Sequence, residues 1–442
     1  MTTVLLYIAG VLAIVVGLAV SIGLHEFGHM IPAKKFGIRV PQWFVGFGST
    51  LWSFKRNGTE YGIKAFPLGG FVKIIGMLPP NAAVDDASTP RKPSAFGQLI
   101  SDAREAEAAL LEPGDENRMF YQLPWWKKVI VMAGGPTVNL VIAFFLFGGL
   151  FYFHGVREAT TTVAVVPQCV IAVKDGEAPR DTCRVAGDPA GADPATPSAK
   201  AGLRPGDTIT RFDDTEITSY TQLQNLIRSN PRTDVELTWF RPSTGETITK
   251  SVTTTINSLP TSEDNLKLAD VGYLGISPTS ENVSKGPLYT IEQMGSMTKD
   301  TVVALGHMPA RIWDVGRAVL GLQDRDPEGP MSVVGIGRVA GEVSSDDSIS
   351  GGNRIAFIVT LLAGVNLFVG MFNFVPLLPL DGGHIAGALY EAVRRGWAKL
   401  FRRPDPGHFD VARLLPVAYV TAGVLLVMTA LLVYADLAVP IS

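Results

Sequence analysis

Four long stretches without a charged side chain constrain this chain more than any other feature of its sequence. They run from Val4 to Leu24, Val129 to Phe153, Ile355 to Leu380 and Leu414 to Ala435. About 20 consecutive apolar residues are enough for a helix to cross a bilayer. The first stretch has no basic n-region and no A-x-A cleavage site, so we expect a retained helix there and not a signal peptide. The sequence therefore predicts a polytopic α-helical membrane protein with about four transmembrane helices.

The composition agrees with a membrane protein and excludes several other classes. Of the 442 residues, 18% are charged and 47% are hydrophobic, whereas soluble proteins carry roughly 25% charged residues. The net charge of -3 provides no basic footprint for nucleic acid. Two cysteines are too few for a disulfide-dense secreted scaffold. We therefore expect the lipid bilayer as a partner and no nucleic acid.

Basic residues orient the four predicted helices. They are frequent between Lys34 and Lys73, at Lys127 and Lys128, and again between Arg394 and Arg403. By the positive-inside tendency, the segments that connect the first helix to the second and the third to the fourth are cytoplasmic. Residues 154–354 then lie outside the cytoplasm. An oxidising compartment would allow Cys169 and Cys183 to pair there, and two free thiols are the alternative.

Between the first two predicted helices, the sequence predicts a β-hairpin on the cytoplasmic side. Thr50 to Arg56 and Thr59 to Phe66 are strand-like runs, and Asn57-Gly58 between them is the preferred pair for a type I′ turn. One face would be apolar and the other charged. The hairpin either contacts the membrane interface or remains in the cytoplasm. Pairing across the turn places Phe54 opposite Tyr61, Trp52 opposite Ile63, and Lys55 opposite Glu60.

A compact β module is predicted within the outer segment. In AKAGLRPGDTITRFDD at residues 199–214, Pro205-Gly206 forms a turn and Thr208 to Phe212 alternate as a half-buried strand. The pattern resembles a PDZ domain, which implies peptide capture by strand addition. A β domain without a ligand is the alternative. The other predicted elements are a helix at Thr221 to Arg228, strands at Val235 to Phe240 and Thr247 to Thr253, a ligand-side strand at Val163 to Val166, and a closing YLGI at Tyr273 to Ile276.

The candidate chemistry begins at the end of the first predicted helix, with the sequence HEFGH from His25 to His29. Residues four apart lie on one face of a helix, so the two histidines can bind one metal together. Two imidazoles suit zinc, whose catalytic sites take three protein ligands and leave a position for water. The carboxylate of Glu26 can take a proton from that water. A merely structural role would place three ionisable side chains in a membrane helix at a high energetic cost.

A third ligand is expected from another apolar stretch. Asp381 is the first acidic residue after the third stretch and, by the predicted topology, lies on the same side as the two histidines. Pro376 and Pro379 would end the helix before it, because proline has no backbone N–H. His384 competes as a ligand, since an imidazole nitrogen also suits zinc. Asp381 is the first candidate and His384 the second.

These motifs together resemble the site-2 protease family, and its actinobacterial-like members in particular. The resemblance covers most of the chain and rests on HEFGH, GGPTVN at Gly134 to Asn139, the PDZ-like insertion, and NFVPLLPLDGGH at Asn373 to His384. PLGGFVKIIGM at Pro67 to Met77 also matches the family. Gly329 to Gly341 match its glycine-rich segment leading into the core, which suits close packing, and a surface linker is the alternative. One departure is the proline spacing, which is three residues here and two in many relatives.

The resemblance implies an intramembrane zinc endopeptidase of the bacterial cell membrane. It would hydrolyse transmembrane segments of single-pass proteins such as anti-sigma factors, and the PDZ-like domain would admit only substrates already trimmed on the outside. For each of the two asparagines in this implied site, Asn139 and Asn373, a structural role such as a hydrogen bond across helices is the alternative. The implied residues are His25, His29 and Asp381 as Zn2+ ligands, Glu26 as the general base, and Asn373 and Asn139 as substrate contacts.

A transmembrane substrate must unwind before its peptide bonds can be hydrolysed. An extended edge strand could hold the unwound segment by backbone pairing. We therefore expect the hairpin from Thr50 to Phe66 to serve this purpose. Proline substitutions along it should reduce cleavage while the zinc content stays normal.

Two other functions compete with proteolysis. A PDZ-bearing membrane scaffold could carry an inactive metal site, although HEFGH and Asp381 are both intact. A zinc transporter would need polar residues along several helices, and these stretches are almost devoid of them. The predicted divisions of the chain are 1–39, 129–153, 355–384 and 414–435 as transmembrane helices, 40–128 as hairpin and loop, 160–280 as PDZ-like domain, 281–354 as connector and 385–413 as cytoplasmic loop.

Overall fold

The computed structural model describes residues 2–79, 95–171, 182–184, 191–262 and 265–440. The chain forms two compact units. Unit 1 comprises Met1–His154 and Lys285–Ser442, and unit 2 comprises Gly155–Ser284. The predicted divisions 40–128 and 160–280 each include residues outside the described ones.

Helices dominate unit 1 and strands dominate unit 2. Short 3-10 or π-helical turns cover Phe120–Gln122, Leu150–His154 and Val411–Leu414. The α-helices are α1 (Thr2–Lys35), α2 (Ala95–Ala108), α3 (Trp125–Gly149), α4 (Pro197–Ala201), α5 (Tyr220–Ser229), α6 (Pro287–Val319), α7 (Val333–Ser345), α8 (Gly351–Asn373), α9 (Asp381–Leu400) and α10 (Leu415–Ala438). The strands are β1 (Gln42–Arg56), β2 (Thr59–Lys73), β3 (Val156–Val165), β4 (Thr208–Phe212), β5 (Thr215–Glu216), β6 (Asp234–Arg241), β7 (Glu246–Thr253), β8 (Thr255–Ser262), β9 (Asn265–Tyr273) and β10 (Ser277–Val283).

Among the described residues of unit 1, four helical segments are long and apolar enough to cross a membrane. Large apolar side chains such as Val16, Phe145 and Leu426 are exposed along them. Surface of this kind is rare on soluble proteins and suits a lipid environment. The prediction of a polytopic membrane protein with four spans is confirmed. The segments are Thr2–Lys35, Trp125–His154, Gly351–Asn373 and Val411–Ala438.

The third spanning helix is shorter than predicted, and a further helix follows it. α8 ends at Asn373, and the segment up to Leu380 is irregular. The two prolines in this segment lack the N–H that a helix requires. α9 then begins at Asp381, so most of the predicted loop 385–413 is helical. The predicted connector 281–354 likewise contains α6 and α7.

Helix α7 packs closely against α1 through small residues. The Tyr7 ring lies so close to Gly341 that a Cβ there would be 2.7 Å from it, and Gly10 lies against Ser344. Gly341 is buried, as are two other glycines of α7. This confirms the predicted close packing within residues 329–341 and excludes their interpretation as a surface linker.

The β-hairpin has the predicted turn and the predicted register. Asn57 and Gly58 both have a positive φ, at 49° and 72°. Phe54 pairs with Tyr61, and the pairs Trp52–Ile63 and Lys55–Glu60 also form as predicted. Each strand has 15 residues and is longer than predicted. Residues 42–45 of β1 pair with both 60–63 and 70–73 of β2, so residues 70–73 form an outer segment of the curled sheet.

Unit 2 is built around a sheet with the strand order β10-β3-β4-β6-β7, and β5 pairs with β4. Its core contains Trp239, Ile209 and Leu237, all fully buried. The predicted strands and helix of residues 199–253 are present, and Leu223 and Ile227 of α5 are buried as expected. One prediction is wrong, because residues 163–165 lie in β3 between two strands. β10, which directly follows YLGI, forms one edge of this sheet and β7 forms the other.

The two cysteines of unit 2 are paired. Cys169 and Cys183 form a disulfide with a sequence separation of 14. This confirms the predicted pairing. The PDZ-like identity of the unit remains a prediction.

Candidate metal centre

The last helical turns of α1 bring two imidazoles together. Because His25 and His29 are four residues apart on a helix, their side chains project from one face. Their Nε2 atoms lie 3.2 Å apart. His29 is buried and His25 is partly buried. The spacing of HEFGH thus produces the paired arrangement that we predicted.

Asp381 reaches the same point from the other end of the chain. Its Oδ2 atom lies 3.3 Å from Nε2 of His25 and 3.3 Å from Nε2 of His29. The residue occupies the first turn of α9, directly after the irregular segment. Gly383 in the same turn is packed so closely that a Cβ there would lie 2.7 Å from the backbone nitrogen of Leu378. The irregular segment therefore fixes where the carboxylate lies.

The three side chains fit a zinc ion. One ligand atom from each of His25, His29 and Asp381 lies within 4.8 Å of the others. Their closest approaches of 3.2–3.3 Å match the spacing of about 3.3 Å between ligands in a tetrahedral site with bonds of about 2.0 Å. Oδ2 of Asp381 is also buried without a hydrogen-bond partner among the described residues. Two nitrogens and one oxygen are a donor set that suits zinc.

The outer nitrogens of both imidazoles are bound by α3. Nδ1 of His29 lies 2.8 Å from the carbonyl oxygen of Val131, and Nδ1 of His25 lies 3.3 Å from Oδ1 of Asn139. Both partners are acceptors, so each Nδ1 carries the proton and each Nε2 presents its lone pair to the centre. Asn139, predicted as a substrate contact, thus uses its oxygen to orient a histidine.

Glu26 lies beside the cluster on the same helix. Its carboxyl interacts electrostatically with His25, His29 and Asp381, and the backbone of Val72 hydrogen-bonds to it. A Cβ at Gly70 would lie 3.3 Å from Cγ of Glu26. The part of the hairpin next to the candidate base is therefore residues 70–73, beyond the predicted range of 50–66.

Close glycine packing between α1 and α3 makes room for the cluster, and the sequence interpretation missed it. Gly28 and Gly134 face each other, and a Cβ at Gly28 would lie 2.7 Å from the carbonyl carbon of Gly134. A Cβ at Gly135 would overlap Nε2 of His29 and lie 2.7 Å from Nε2 of His25. The paired glycines of GGPTVN were the available signal.

A polar contact between α1 and α8 was also missed. Asn366 is buried and donates from Nδ2 to Oγ of Ser21, at 3.0 Å. Ser21 lies one helical turn before His25. This hydrogen bond links the helix that carries the histidines to the helix that leads to Asp381.

Two other predicted residues lie outside the three-residue cluster. Asn373, at the end of α8, donates from Nδ2 to the carbonyl oxygen of Val369, at 3.1 Å. Its contact with a substrate stays a prediction. His384, the second candidate ligand, is absent from the cluster that the described residues form. Its Nδ1 is buried without a hydrogen-bond partner among them.

The arrangement has the parts of a metal-dependent hydrolase. Three ligands can hold a cation and leave one position for water, and a carboxylate lies beside them to accept a proton. Asn139 and Gly135 lie at least ten residues into α3, which is about 15 Å at 1.5 Å per residue. The centre is thus deep along a membrane-spanning helix.

Comparisons with known proteins agree with this chemistry. The model for "Peptidase family M50" matches residues 13–400. Zinc metalloprotease Rip1 of Mycobacterium tuberculosis is 30% identical over 445 residues, covering 99% of each chain. Zinc metalloprotease Rip1 of Mycolicibacterium smegmatis is 32% identical over 446 residues, covering 98% of each chain. Metalloprotease MmpA of Caulobacter vibrioides is 26% identical over 388 residues, covering 86% of this chain and 85% of that protein.

Proposed function

The chain belongs to peptidase family M50, the site-2 protease family, and from this premise we propose that it cleaves peptide bonds within the transmembrane segments of single-pass membrane proteins. Its relatives are named zinc metalloproteases. The chain is accordingly a zinc metalloendopeptidase and a multi-pass bacterial membrane protein. What is proposed is the kind of substrate and the role of each residue.

The observation that carries the proposal is the convergence of His25, His29 and Asp381 within 4.8 Å. These residues would hold Zn2+, which when bound polarises a carbonyl and lowers the pKa of a water molecule. Glu26 accepts the proton of the attacking water and returns it to the leaving amine. Asn139 and the carbonyl of Val131 hold the two imidazoles in the required orientation. Asn373 contacts the substrate backbone.

The depth of the centre supports a substrate that is itself within the membrane. The amides of a transmembrane helix are hydrogen-bonded to one another, so the segment must be unwound before attack. Residues 70–73 pair with β1 on one side, and Val72 lies next to Glu26. An unwound substrate that added as a strand at this segment would have its backbone beside the candidate base.

Anti-sigma factors are the proposed substrate class, on the strength of the resemblance of the sequence motifs to those of actinobacterial site-2 proteases. Unit 2 is proposed to be a PDZ-like domain that admits substrates whose outer part has been trimmed. The AGL-x-PGD motif and the free edge of β10 after YLGI support this role, because PDZ domains bind peptides by strand addition.

The decisive experiment is Glu26→Gln in the full-length protein, reconstituted in liposomes with a single-pass substrate. We expect unchanged zinc content and a decrease in turnover of about 100-fold to 10,000-fold, the usual contribution of a general base. Glu292→Gln is the matched control, because Glu292 is an exposed carboxylate of α6.

Equal cleavage by the Glu26→Gln protein and the parent would contradict the role of Glu26 as the base, whereas no cleavage by the parent would contradict the proposal and favour a PDZ-bearing scaffold. The inactive variant also serves to identify substrates. Uncleaved single-pass proteins should co-purify with it and not with the control.

A further inference from the structure

Helix α9 connects the metal centre to the basic segment that follows the third span. Its first residue is Asp381. At its middle, Oε2 of Glu391 forms a buried ion pair with Nζ of Lys128 in the first turn of α3, at 2.7 Å. Trp125 and Trp126 precede Lys128, and tryptophan at this position is typical of a membrane–water interface. Glu391 therefore marks where α9 reaches the cytoplasmic edge of the hydrocarbon region.

Beyond its buried face, α9 carries a stripe of exposed apolar side chains. The spacing of three and four residues along the helix places them on one side. Their exposed fractions range from 45% to 74%, although α9 is not one of the four spanning segments. We define the α9 stripe as Leu389, Tyr390, Val393, Trp397, Leu400 and Phe401.

The opposite face of α9 packs against the protein. Gly387, Ala388, Glu391 and Ala398 are buried there. The α9 stripe is thus the outer surface of a helix whose inner surface is fixed. Contiguous apolar surface of this kind marks a contact with a partner or a membrane.

Cations without an ion-pair partner among the described residues lie at the end of the stripe. Lys399, Arg402 and Arg403 are exposed, and their side chains form no ion pair with a described residue. The two preceding arginines differ. Arg394 donates to backbone carbonyls of residues 406 and 407, and Arg395 forms ion pairs with Glu391 and Asp405. The three terminal cations are therefore available to an external anion.

The length of α9 limits how it can run if these cations are to reach lipid phosphates. From Glu391 to Leu400 the helix rises about 14 Å at 1.5 Å per residue. The headgroup layer on each side of a bilayer is only about 5–8 Å thick, so a stripe that contacts acyl chains along its length requires this half of α9 to run obliquely to the membrane normal. Trp397 and Phe401, whose ring centroids lie 4.6 Å apart, are residue types enriched at that interface.

We propose that the second half of α9 is an anionic-lipid binding site on the cytoplasmic face of the membrane. The α9 stripe contacts acyl chains, and Lys399, Arg402 and Arg403 bind the phosphates of anionic headgroups. Apolar surface combined with basic residues is the pattern of interfacial helices, and anionic lipids are concentrated in the cytoplasmic leaflet. The charge of the three cations and the adjoining spanning helices favour lipid over a protein partner.

The first test measures where the stripe lies. The native cysteines are paired, so Val393→Cys can be spin-labelled alone in the full-length protein in nanodiscs of phosphatidylcholine and phosphatidylglycerol. We expect greater access to oxygen than to a water-soluble nickel reagent, as for Leu426→Cys in α10. Thr244→Cys, exposed in unit 2, is the water-exposed control. A label at position 393 that behaves like the one at position 244, or that is shielded from both reagents by protein, overturns the proposal.

The second test measures how strongly the binding of an anionic lipid depends on the three cations. Native mass spectrometry of the full-length protein counts bound phosphatidylglycerol for the parent and for Lys399→Gln/Arg402→Gln/Arg403→Gln. Each cation near anionic lipid contributes about 1 kcal/mol, so we expect the apparent affinity to fall at least about fivefold. The control Arg157→Gln/Arg204→Gln/Arg211→Gln removes the same charge from exposed positions of unit 2. Equal losses in both variants, or no loss in the first, overturn the proposal. Neither test depends on proteolysis, so failure here leaves the proposed function untouched.

Discussion

The two units of this protein distribute polarity in opposite ways. In unit 2, the largest of the fully buried side chains are apolar, as in Trp239 and Ile209, and strand residues such as Glu236 face solvent. In unit 1, large apolar side chains face outward, whereas His29 and the Lys128–Glu391 pair are buried. In water, moving an apolar side chain into the protein interior is favourable. In a bilayer the lipid is as apolar as that interior, so the same move gains little.

Burial therefore carries different information in the two units. In unit 2 it identifies residues that stabilise the fold. In unit 1 the buried polar groups identify places where helices are held together for a function, because placing a polar group in a membrane costs free energy. The clusters around Asp381 and Glu391 both follow this rule. Three experiments test the contrast, in order of decreasing expected effect.

The largest effect is expected from Gly135→Ala. A Cβ there would overlap Nε2 of His29, so the histidines must move or α1 and α3 must separate. We expect loss of most bound zinc and a decrease in cleavage of at least about 100-fold, as when a reacting group is displaced by about 1 Å. Metal analysis and a cleavage assay in liposomes measure both quantities.

The control for this substitution is Gly149→Ala at the end of α3. A Cβ there would have no heavy atom within 4 Å. The control should keep its zinc and its activity. Normal zinc content in Gly135→Ala would show that the glycine packing does not position the ligands.

A smaller effect, on stability, is expected at the buried pair of unit 1. Glu391→Leu leaves Lys128 buried without its carboxylate, which typically destabilises a protein by about 3–5 kcal/mol. Replacing both partners, as in Lys128→Met/Glu391→Leu, should recover much of that free energy, because position 128 then carries no buried charge and Arg395 keeps its ion pair with Asp405. Unfolding of the full-length protein in mixed detergent micelles measures the difference. Equal destabilisation by the single and double variants would argue against a paired charge.

The smallest effect is expected at the corresponding pair of unit 2. Asp207 is buried and accepts from Nε and Nη2 of Arg241, at 2.9 and 2.7 Å. Burial alone would raise the pKa of Asp207, but the hydrogen bonds from Arg241 and from the backbone of Arg204 outweigh it and lower the pKa below 3.8. A lowered folded-state pKa means that this group stabilises the unit above about pH 4 and that the contribution is lost as the pH falls further.

Asp207→Asn should destabilise unit 2 by about 1–3 kcal/mol at neutral pH, because Arg241 loses its charged acceptor. It should also flatten the acid dependence of stability. Hydrogen–deuterium exchange of β4 in the full-length protein, from pH 7 to pH 3, measures both effects. An unchanged acid dependence in Asp207→Asn would show that another group is responsible.

Local features were predictable from the sequence, and contacts between distant segments were not. The hairpin register follows from Asn57-Gly58 and the alternation on either side of it, because both are local. The pairing of His25 and His29 follows from helix geometry alone. The disulfide and the four spans also followed from simple rules.

The residues alone ranked Asp381 above His384 but left His384 open as a ligand. The choice between them depends on how the irregular segment before α9 ends, and proline positions do not determine that path. The role of Gly135 depends on the contact between α1 and α3. The edge position of β10 depends on sheet order, which periodicity along one strand does not report. α6 was missed because charged residues such as Glu292 and Lys299 interrupt its apolar pattern.

The position of Asp381 in the chain also has a consequence for biosynthesis. His25 and His29 leave the ribosome early, but Asp381, the third proposed ligand, is translated about 350 residues later. At roughly 5–20 residues per second, that interval lasts roughly 20–70 s. During this time the nascent chain has only two of the three proposed metal ligands. Under the proposed assignment, the nascent chain cannot hydrolyse membrane proteins made beside it until Asp381 has been synthesised and inserted.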